Sequence, residues 1–318
     1  MWGWRDANSS FPLNYIRRGS WVMQTFKKAW RRNAVAYMFL SPWLIGLLGL
    51  SLIPMVTSLY LSFTNYDMFT SPVWTGMENY TQMFEDSKYL ASIKVTTIYV
   101  MLSVPLQLMF ALGVALLLNR GLRGLKFYRA VYYVPSLFGG SVAVALLWRQ
   151  LFGGEGLINR GLALFGIEGT NWISSPDTAL YTLVILAVWQ FGAPMVIFLA
   201  GLKQVPLELY EAARIDGAGK FKQFFKITLP MISPIVLFNL IMQIIHAFQA
   251  FTPAYIVSGG EGGPLDSTLF YTLYLYQKAF THFDMGYAAA MAWILLIAIA
   301  IITAIIFGTS KKWVFYQE

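Results

Sequence analysis

Cysteine is absent from the 318-residue sequence, and only two histidines occur in it. The first absence excludes a disulfide framework, a thiolate metal site and a cysteine nucleophile. The second leaves too little imidazole for a histidine-rich metal centre. Charge is equally sparse. Asp, Glu, Lys and Arg make up 12% of the residues, about half of the roughly 25% usual in soluble domains. So few charged groups cannot cover the surface of a water-soluble fold of this length, which excludes a soluble enzyme. The formal net charge of +8 invites a nucleic-acid reading. In so apolar a chain, however, the placement of the bases matters more than their sum.

Apolar residues supply 57% of the sequence. They collect in six stretches without Asp, Glu, Lys or Arg: residues 33–66, 95–119, 130–148, 178–202, 227–260 and 285–310. A helix needs about 20 such residues to cross a hydrocarbon core of about 30 Å. The third stretch has 19 residues, with Arg129 and Arg149 placed to snorkel to the two interfaces. The first and fifth are too long for one crossing and must include segments outside the membrane. The expectation is an all-α, polytopic protein with six transmembrane helices.

Orientation follows from the bases. Eighteen of the 23 Lys and Arg residues fall in the N-terminal tail, in the segment Arg120 to Arg129, in residues 203–226 and at Lys311 and Lys312. The remaining five are Lys88, Lys94, Arg149, Arg160 and Lys278. This asymmetry predicts both termini in the cytoplasm and disposes of nucleic acid as a partner. Trp74, Tyr80, Tyr89 and Trp172 then fall in outer segments, suited to an interfacial belt. Residues 1–33 form a basic tail, either a helix lying on the membrane surface or a plain basic anchor. Residues 311–318 form a short C-terminal tail on the same side.

The six stretches contain no carboxylate or ammonium group, and His246 is the titratable side chain at depth apart from tyrosines. Proton or sodium coupling is poorly served by such a lining. No G-x-x-x-x-G-K-[ST] motif occurs, so the chain has no P-loop with which to hydrolyse ATP itself. Energy for active transport must then come from a partner. Residues 203–230, KQVPLELYEAARIDGAGKFKQFFKITLP, offer that partner a handle. Pro206 suits a first helical turn, Asp216-Gly217 a stop, and Phe221, Phe224 and Phe225 a second helix. An interfacial helix that merely joins two spans fits this pattern equally well. A stand-alone carrier or channel and a membrane-embedded glycosyl- or phosphotransferase also remain open at this point.

Glu211-Ala212-Ala213, then Gly217, then Ile227 and Leu229-Pro230 resemble the EAA loop of permease subunits in binding-protein-dependent ABC importers, in the maltose-transporter branch. Ser41-Pro42, Tyr133-Val134-Pro135, Gly262-Gly263-Pro264 and Gly286-Tyr287-Ala288-Ala289-Ala290 match the same family. The resemblance implies a type I importer permease fold over residues 34–310, in a bacterial inner membrane. It implies a second homologous permease chain, which need not differ from this one, two cytoplasmic ATPase subunits, an extracytoplasmic solute-binding protein and a sugar or oligosaccharide as cargo. No cofactor belongs to this chain; ATP and Mg are held by the partner ATPases. Glu211, Ala212, Ala213, Asp216 and Gly217 are the residues on which docking of the ATPase falls.

A sugar needs hydrogen-bonding groups and aromatic faces in its path. Asn239, Gln243 and His246 share one helical stripe, with Gln249 and Tyr255 further along. Trp189 and Gln190 add an aromatic platform and an amide. Gln243, His246, Gln249, Tyr255, Trp189 and Gln190 are therefore the candidate pathway residues, whereas Asn239 and Gln107 suit structural roles. The glycine-rich stretches 153–156 and 259–263 lie outside by the charge rule and suit contacts with the binding protein.

Overall fold

The structure, a computed structural model, describes residues 36–121 and 124–315. The basic tail, residues 1–33, and the last three residues of the C-terminal tail lie outside the described residues. Two compact units are distinguished, residues 1–58 and 59–318. In the first, residues 36–58 form most of an apolar helix, α1 (Ala36–Leu61). It carries a π-helical stretch at Leu47–Leu52, and Phe39, Trp43, Ile45 and Leu50 are exposed. Large apolar side chains facing outward along a whole helix suit a lipid environment rather than water.

The second unit opens with a feature that an all-α reading omits. Thr64–Asn65 and Val73–Trp74 form a two-residue antiparallel ladder, pairing Thr64 with Trp74 and Asn65 with Val73. The helical part of the first apolar stretch thus stops at Leu61, and its last residues enter the ladder. Helix α2 (Ser87–Leu118) has 32 residues and runs roughly 48 Å at the usual rise. That exceeds the membrane core, so its first turns, with Lys88 and Lys94, extend beyond it. The second span thus starts earlier than its charge-free stretch, because a charged residue at a wet helix end does not stop the helix.

The third stretch is not one straight helix. It divides into α3 (Leu125–Phe138) and α4 (Val142–Leu151), bent by 97°. Gly139 and Gly140 interrupt the helix, and the Ser141 hydroxyl caps α4 by accepting from the Val144 N–H at 3.3 Å. The fourth is also broken, into α5 (Ala179–Trp189) and α6 (Gly192–Leu202), at a milder 41°. The knob helix α7 (Leu207–Ile215) follows. Beyond it come α8 (Ser233–Phe248), α9 (Thr252–Ser258), α10 (Tyr271–Tyr276) and the last span, α11 (Met285–Ser310). Among the described residues, four helical segments are long and apolar enough to cross a membrane, and up to six if each bent pair counts as one span.

Helix α2 runs through the centre and packs against α5, α6, α8 and α10, while α3 lies on α6 and α4 on α9. Small residues set these approaches. A side chain at Gly192 would come within 2.3 Å of the Tyr132 carbonyl oxygen, so α3 and α6 meet there backbone to backbone. Gly286, in the Gly-Tyr-Ala-Ala-Ala sequence, lies so close to Thr64 that a Cβ would sit 2.0 Å from its carbonyl oxygen. Asn79 ties down the same corner by donating to the Ser62 and Thr64 carbonyls, each at 2.9 Å.

Candidate functional site

The two helix breaks face each other, and proline chemistry explains how. Within a continuous helix the Gln190 carbonyl would accept from the N–H of residue 194, but Pro194 has none. The freed oxygen instead accepts from Gln107 Nε2 at 3.1 Å and from the Ser136 hydroxyl at 2.9 Å. Ser136 Oγ in turn accepts from the Ala193 N–H at 2.9 Å. The Gln190 side chain closes the lattice by donating from Nε2 to the Gly139 carbonyl at 2.9 Å. Non-helical backbone at membrane depth is tolerable where partners satisfy it, and here α2, α3 and α5 supply them.

Beside this lattice lies a cavity of about 480 Å³. Its walls are Tyr99, Ser103 and Gln107 of α2, Ser136, Gly139 and Gly140 at the first break, Gln190 and Ala193 at the second, and Gln243 to Pro253 on the α8–α9 side. Gln190, Gln243, His246 and Gln249, marked from sequence as pathway residues, meet here. Trp189 and Tyr255 do not line it. Trp189 instead packs on Trp148, with ring centroids 6.0 Å apart, and is partly exposed. Tyr255 belongs to an aromatic cluster, 5.3 Å from Phe251 and 5.5 Å from Tyr276. Asn239 is buried away from the cavity. The lining contains amides, hydroxyls, one imidazole and aromatic faces, and no Asp, Glu, Lys or Arg. Such a surface offers the donors and acceptors that hydrogen bonds to uncharged hydroxyl groups require. The sequence reading passed over Tyr99 and Ser103, although with Gln107 they recur every four residues, a helical-face signal visible in the second stretch.

The knob forms as two helical pieces around a turn. The Ala218 N–H donates to the Ala213 carbonyl at 2.8 Å and the Gly217 N–H to the Arg214 carbonyl at 3.0 Å. With Gly217 at φ +77°, this is a Schellman cap, which requires a left-handed residue that glycine supplies without a Cβ clash. The second piece begins at Lys220, passes through a π-helical stretch at Phe224–Thr228 and leads into α8. Tyr210 and Thr228 join their hydroxyls at 2.9 Å, bracing the two pieces. Glu211, Ala212, Asp216 and Gly217 are exposed and Ala213 is half-buried. Leu207, Ile215 and Phe221 beside them are 75%, 88% and 79% exposed.

A second polar cluster went unmarked in the sequence. Asp86 caps α2 by accepting from the N–H groups of Lys88 and Tyr89, at 3.0 and 3.2 Å. Its other oxygen accepts from the hydroxyls of Tyr274, at 2.5 Å, and Tyr287, at 2.9 Å. Lys278 lies 3.5 Å from the same oxygen and 4.2 Å over the Tyr287 ring. Burial pushes the Asp86 carboxyl up, but the hydroxyls of Tyr274 and Tyr287, the Tyr89 N–H and the Lys278 charge together hold it below the usual carboxylate range. Only the Asp-Ser cap signature at residues 86 and 87 was available from sequence; the tyrosines come from 188 and 201 positions away.

The family of binding-protein-dependent transport system inner membrane components matches residues 87–314. The chain is 52% identical over 302 residues to the probable ABC transporter permease protein YesP of Bacillus subtilis (strain 168), covering 94% of this chain and 98% of that one. It is 31% identical over 298 residues to the sn-glycerol-3-phosphate transport system permease protein UgpA of Salmonella choleraesuis (strain SC-B67), covering 93% and 100%. Its fold matches a chain of a bacterial alginate ABC transporter, solved in complex with alginate pentasaccharide-bound periplasmic protein. That match has a TM-score of 0.76 at 20% identity, over 90% of this chain and 96% of the other. The resemblance drawn from the EAA spacing is borne out: the chain belongs to the binding-protein-dependent ABC transporter permeases, and is a multi-pass transport component of the inner membrane rather than an enzyme.

Proposed function

We propose that this chain is one half of the membrane pathway of an ATP-driven saccharide importer, with the cavity between the two helix breaks as its solute site. The observation that carries this reading is the lining: hydrogen-bonding groups and aromatic faces without formal charge, gathered where two spans are interrupted. Of the relatives, the alginate transporter chain shares the saccharide class of cargo and the glycerol phosphate permease a hydroxyl-rich anion; both cargoes are charged, so it is the uncharged lining that favours a neutral saccharide here. A solute-binding protein delivers the cargo, as the alginate transporter's complex with its periplasmic protein suggests. A second homologous permease completes the pathway, and two ATPase subunits, holding ATP and Mg, supply the energy. The termini and the knob face the cytoplasm, as the eighteen bases on that side favour.

The knob is the docking point for the ATPase, through Glu211, Ala212, Ala213, Asp216 and Gly217. Helix α6 runs from the second break to the knob, 11 residues or roughly 16 Å. Helix α8 runs back from the knob toward Gln243 over a similar length. Two stiff levers thus join the docking point to two walls of the cavity. Closure of the ATPases moves the knob, and the levers carry that motion to the breaks. The complex reconstituted into proteoliposomes should import solute only when the ATPase subunits are present. Uptake by this chain without them would mark a stand-alone carrier instead. Gln243→Leu and His246→Leu should reduce uptake about tenfold while the complex still assembles, each removing one hydrogen-bonding group from the wall. Unchanged uptake in both would remove the cavity from the pathway. Glu211→Lys should leave the spans folded and ATP hydrolysis running without import; normal import would refute the docking assignment.

A further inference from the structure

On its outer side, the α3–α6 pair leaves a groove of about 360 Å³, lined by Arg129, Ala130 and Tyr133 of α3 and by Ala193, Val196 and Ile197 of α6. The close approach at Gly192 sets the spacing of the two helices, and facing alanines at 130 and 193 leave the space between them unfilled. One end of this slot is polar and the rest is apolar. Arg129 and Tyr133 are four residues apart and so project from the same face of α3. Lys126 lies one turn earlier and is exposed. Neither α3 nor α6 contains an acidic residue. Among the described residues the one ion pair joins Lys278 to Asp86, so Arg129 has no carboxylate partner there.

We infer that this groove is a binding site for an anionic phospholipid. The phosphate sits against the Arg129 guanidinium and the Tyr133 hydroxyl, with Lys126 adding charge nearby. An acyl chain lies along Ala130, Ala193, Val196 and Ile197. The chemistry selects a lipid because both walls belong to membrane-crossing helices, whose surroundings are hydrocarbon. An occupant there must satisfy a lone cation at one end and offer nothing polar along the rest. Basic pockets between transmembrane helices are known to take anionic headgroups in this manner. Ala193 also lines the solute cavity, whereas Arg129, Ala130, Tyr133, Val196 and Ile197 line the groove alone, so the test rests on those residues.

The test uses native mass spectrometry on the purified transporter complex, with 1-palmitoyl-2-oleoyl-phosphatidylglycerol or the corresponding phosphatidylcholine added as probe. The wild-type complex should retain the glycerol lipid about tenfold more strongly than the choline lipid, and that preference should fall with added salt. Arg129→Gln with Lys126→Gln should abolish the preference. Arg129→Lys keeps the charge and should preserve most of it, which separates loss of charge from loss of fold. Ala130→Leu fills the slot from the α3 wall, away from the solute cavity and with every charge in place, and should displace the lipid. Equal retention of the two lipids by the wild type would overturn the proposal, as would undiminished phosphatidylglycerol binding in Ala130→Leu. Absence of any adduct in the complex, with binding confined to the isolated chain, would also overturn it and assign the groove to contact with a second permease.

Discussion

Removing the Asp86 carboxylate is the sharpest test of how the ends of the spans are held. The side chain does three things at once: it caps α2, it accepts from two tyrosine hydroxyls and it pairs with Lys278. Losing an aspartate cap costs about 1 kcal/mol. Tyr274 and Tyr287 are both buried, and each hydroxyl left without an acceptor costs roughly 1–2 kcal/mol. Lys278 keeps partial access to water, so its ion pair adds little. Asp86→Ala should therefore destabilise the unit by about 3–5 kcal/mol, a midpoint drop of about 5–8 °C for a chain of this size. Tryptophan fluorescence during thermal unfolding of the purified protein reads this directly. The pairwise logic is checked by Tyr287→Phe, which should matter much less in the Asp86→Ala background than in the wild type. The sign with pH also follows. Asp86 titrates lower in the folded chain than its ordinary value, so its contribution is complete above about pH 4 and disappears as pH falls through the folded value. Asp86→Asn should flatten that acid limb. A midpoint shift under about 2 °C for Asp86→Ala, or additive tyrosine and aspartate losses, would refute the cluster as a stabilising unit.

Two glycine substitutions probe the local geometry. A Cβ at Gly192 meets backbone, at 2.3 Å from the Tyr132 oxygen and 2.8 Å from the Tyr133 Cα; Gly192→Ala should force α3 from α6 and cost about 3 kcal/mol, seen as a lower unfolding midpoint, whereas Gly140→Ala, with open space around it, should be near neutral. Gly217→Val places a β-branched residue at φ +77° and should strip hydrogen-exchange protection from the Ala218 amide by breaking the Schellman cap, at a cost of about 1–2 kcal/mol.

Much of the architecture was legible because lipid punishes formal charge: the charge-free runs mark where helices cross. Their boundaries were less legible, since a helix does not stop at its first lysine once it has left the hydrocarbon. Ser87 as the start of α2, with Lys88 and Lys94 inside the helix, is the example. The knob was readable in detail because its signals are local: Pro206 at the entry and Gly217 at the cap act within a few residues. The cavity was readable only in part. Gln243, His246 and Gln249 follow from helical spacing on one segment, and all three line it. Trp189 sits one position before Gln190, and consecutive helical residues point about 100° apart, so the two cannot share a face; which of them meets the cavity depends on packing against α2 and α3. The Asp86 cluster was beyond reach because its partners come from distant segments brought together by packing.

The scarcity of charge with which the sequence presents itself also explains why its polar site is built from interrupted helices. A path for a hydroxyl-rich solute needs donors and acceptors at membrane depth, yet each unpaired ion there is costly. Breaking a span exposes backbone carbonyls that carry no formal charge, and it brings glycine and proline to positions that would destabilise an ordinary helix. The Gln190 carbonyl, freed by Pro194, is satisfied by Gln107 and Ser136, so its part is to hold those two polar side chains at the cavity wall. The same bonds fix α2, α3 and α5 relative to one another at the cavity wall. The lining and the structural frame are therefore one set of contacts. Gln107, which looks like a lone packing residue in the sequence, belongs to both: its amide holds the break in place and faces the space the solute would occupy. A change at Gln243 alters one wall of that space, whereas a change at Gln107 releases the carbonyl around which two walls are assembled.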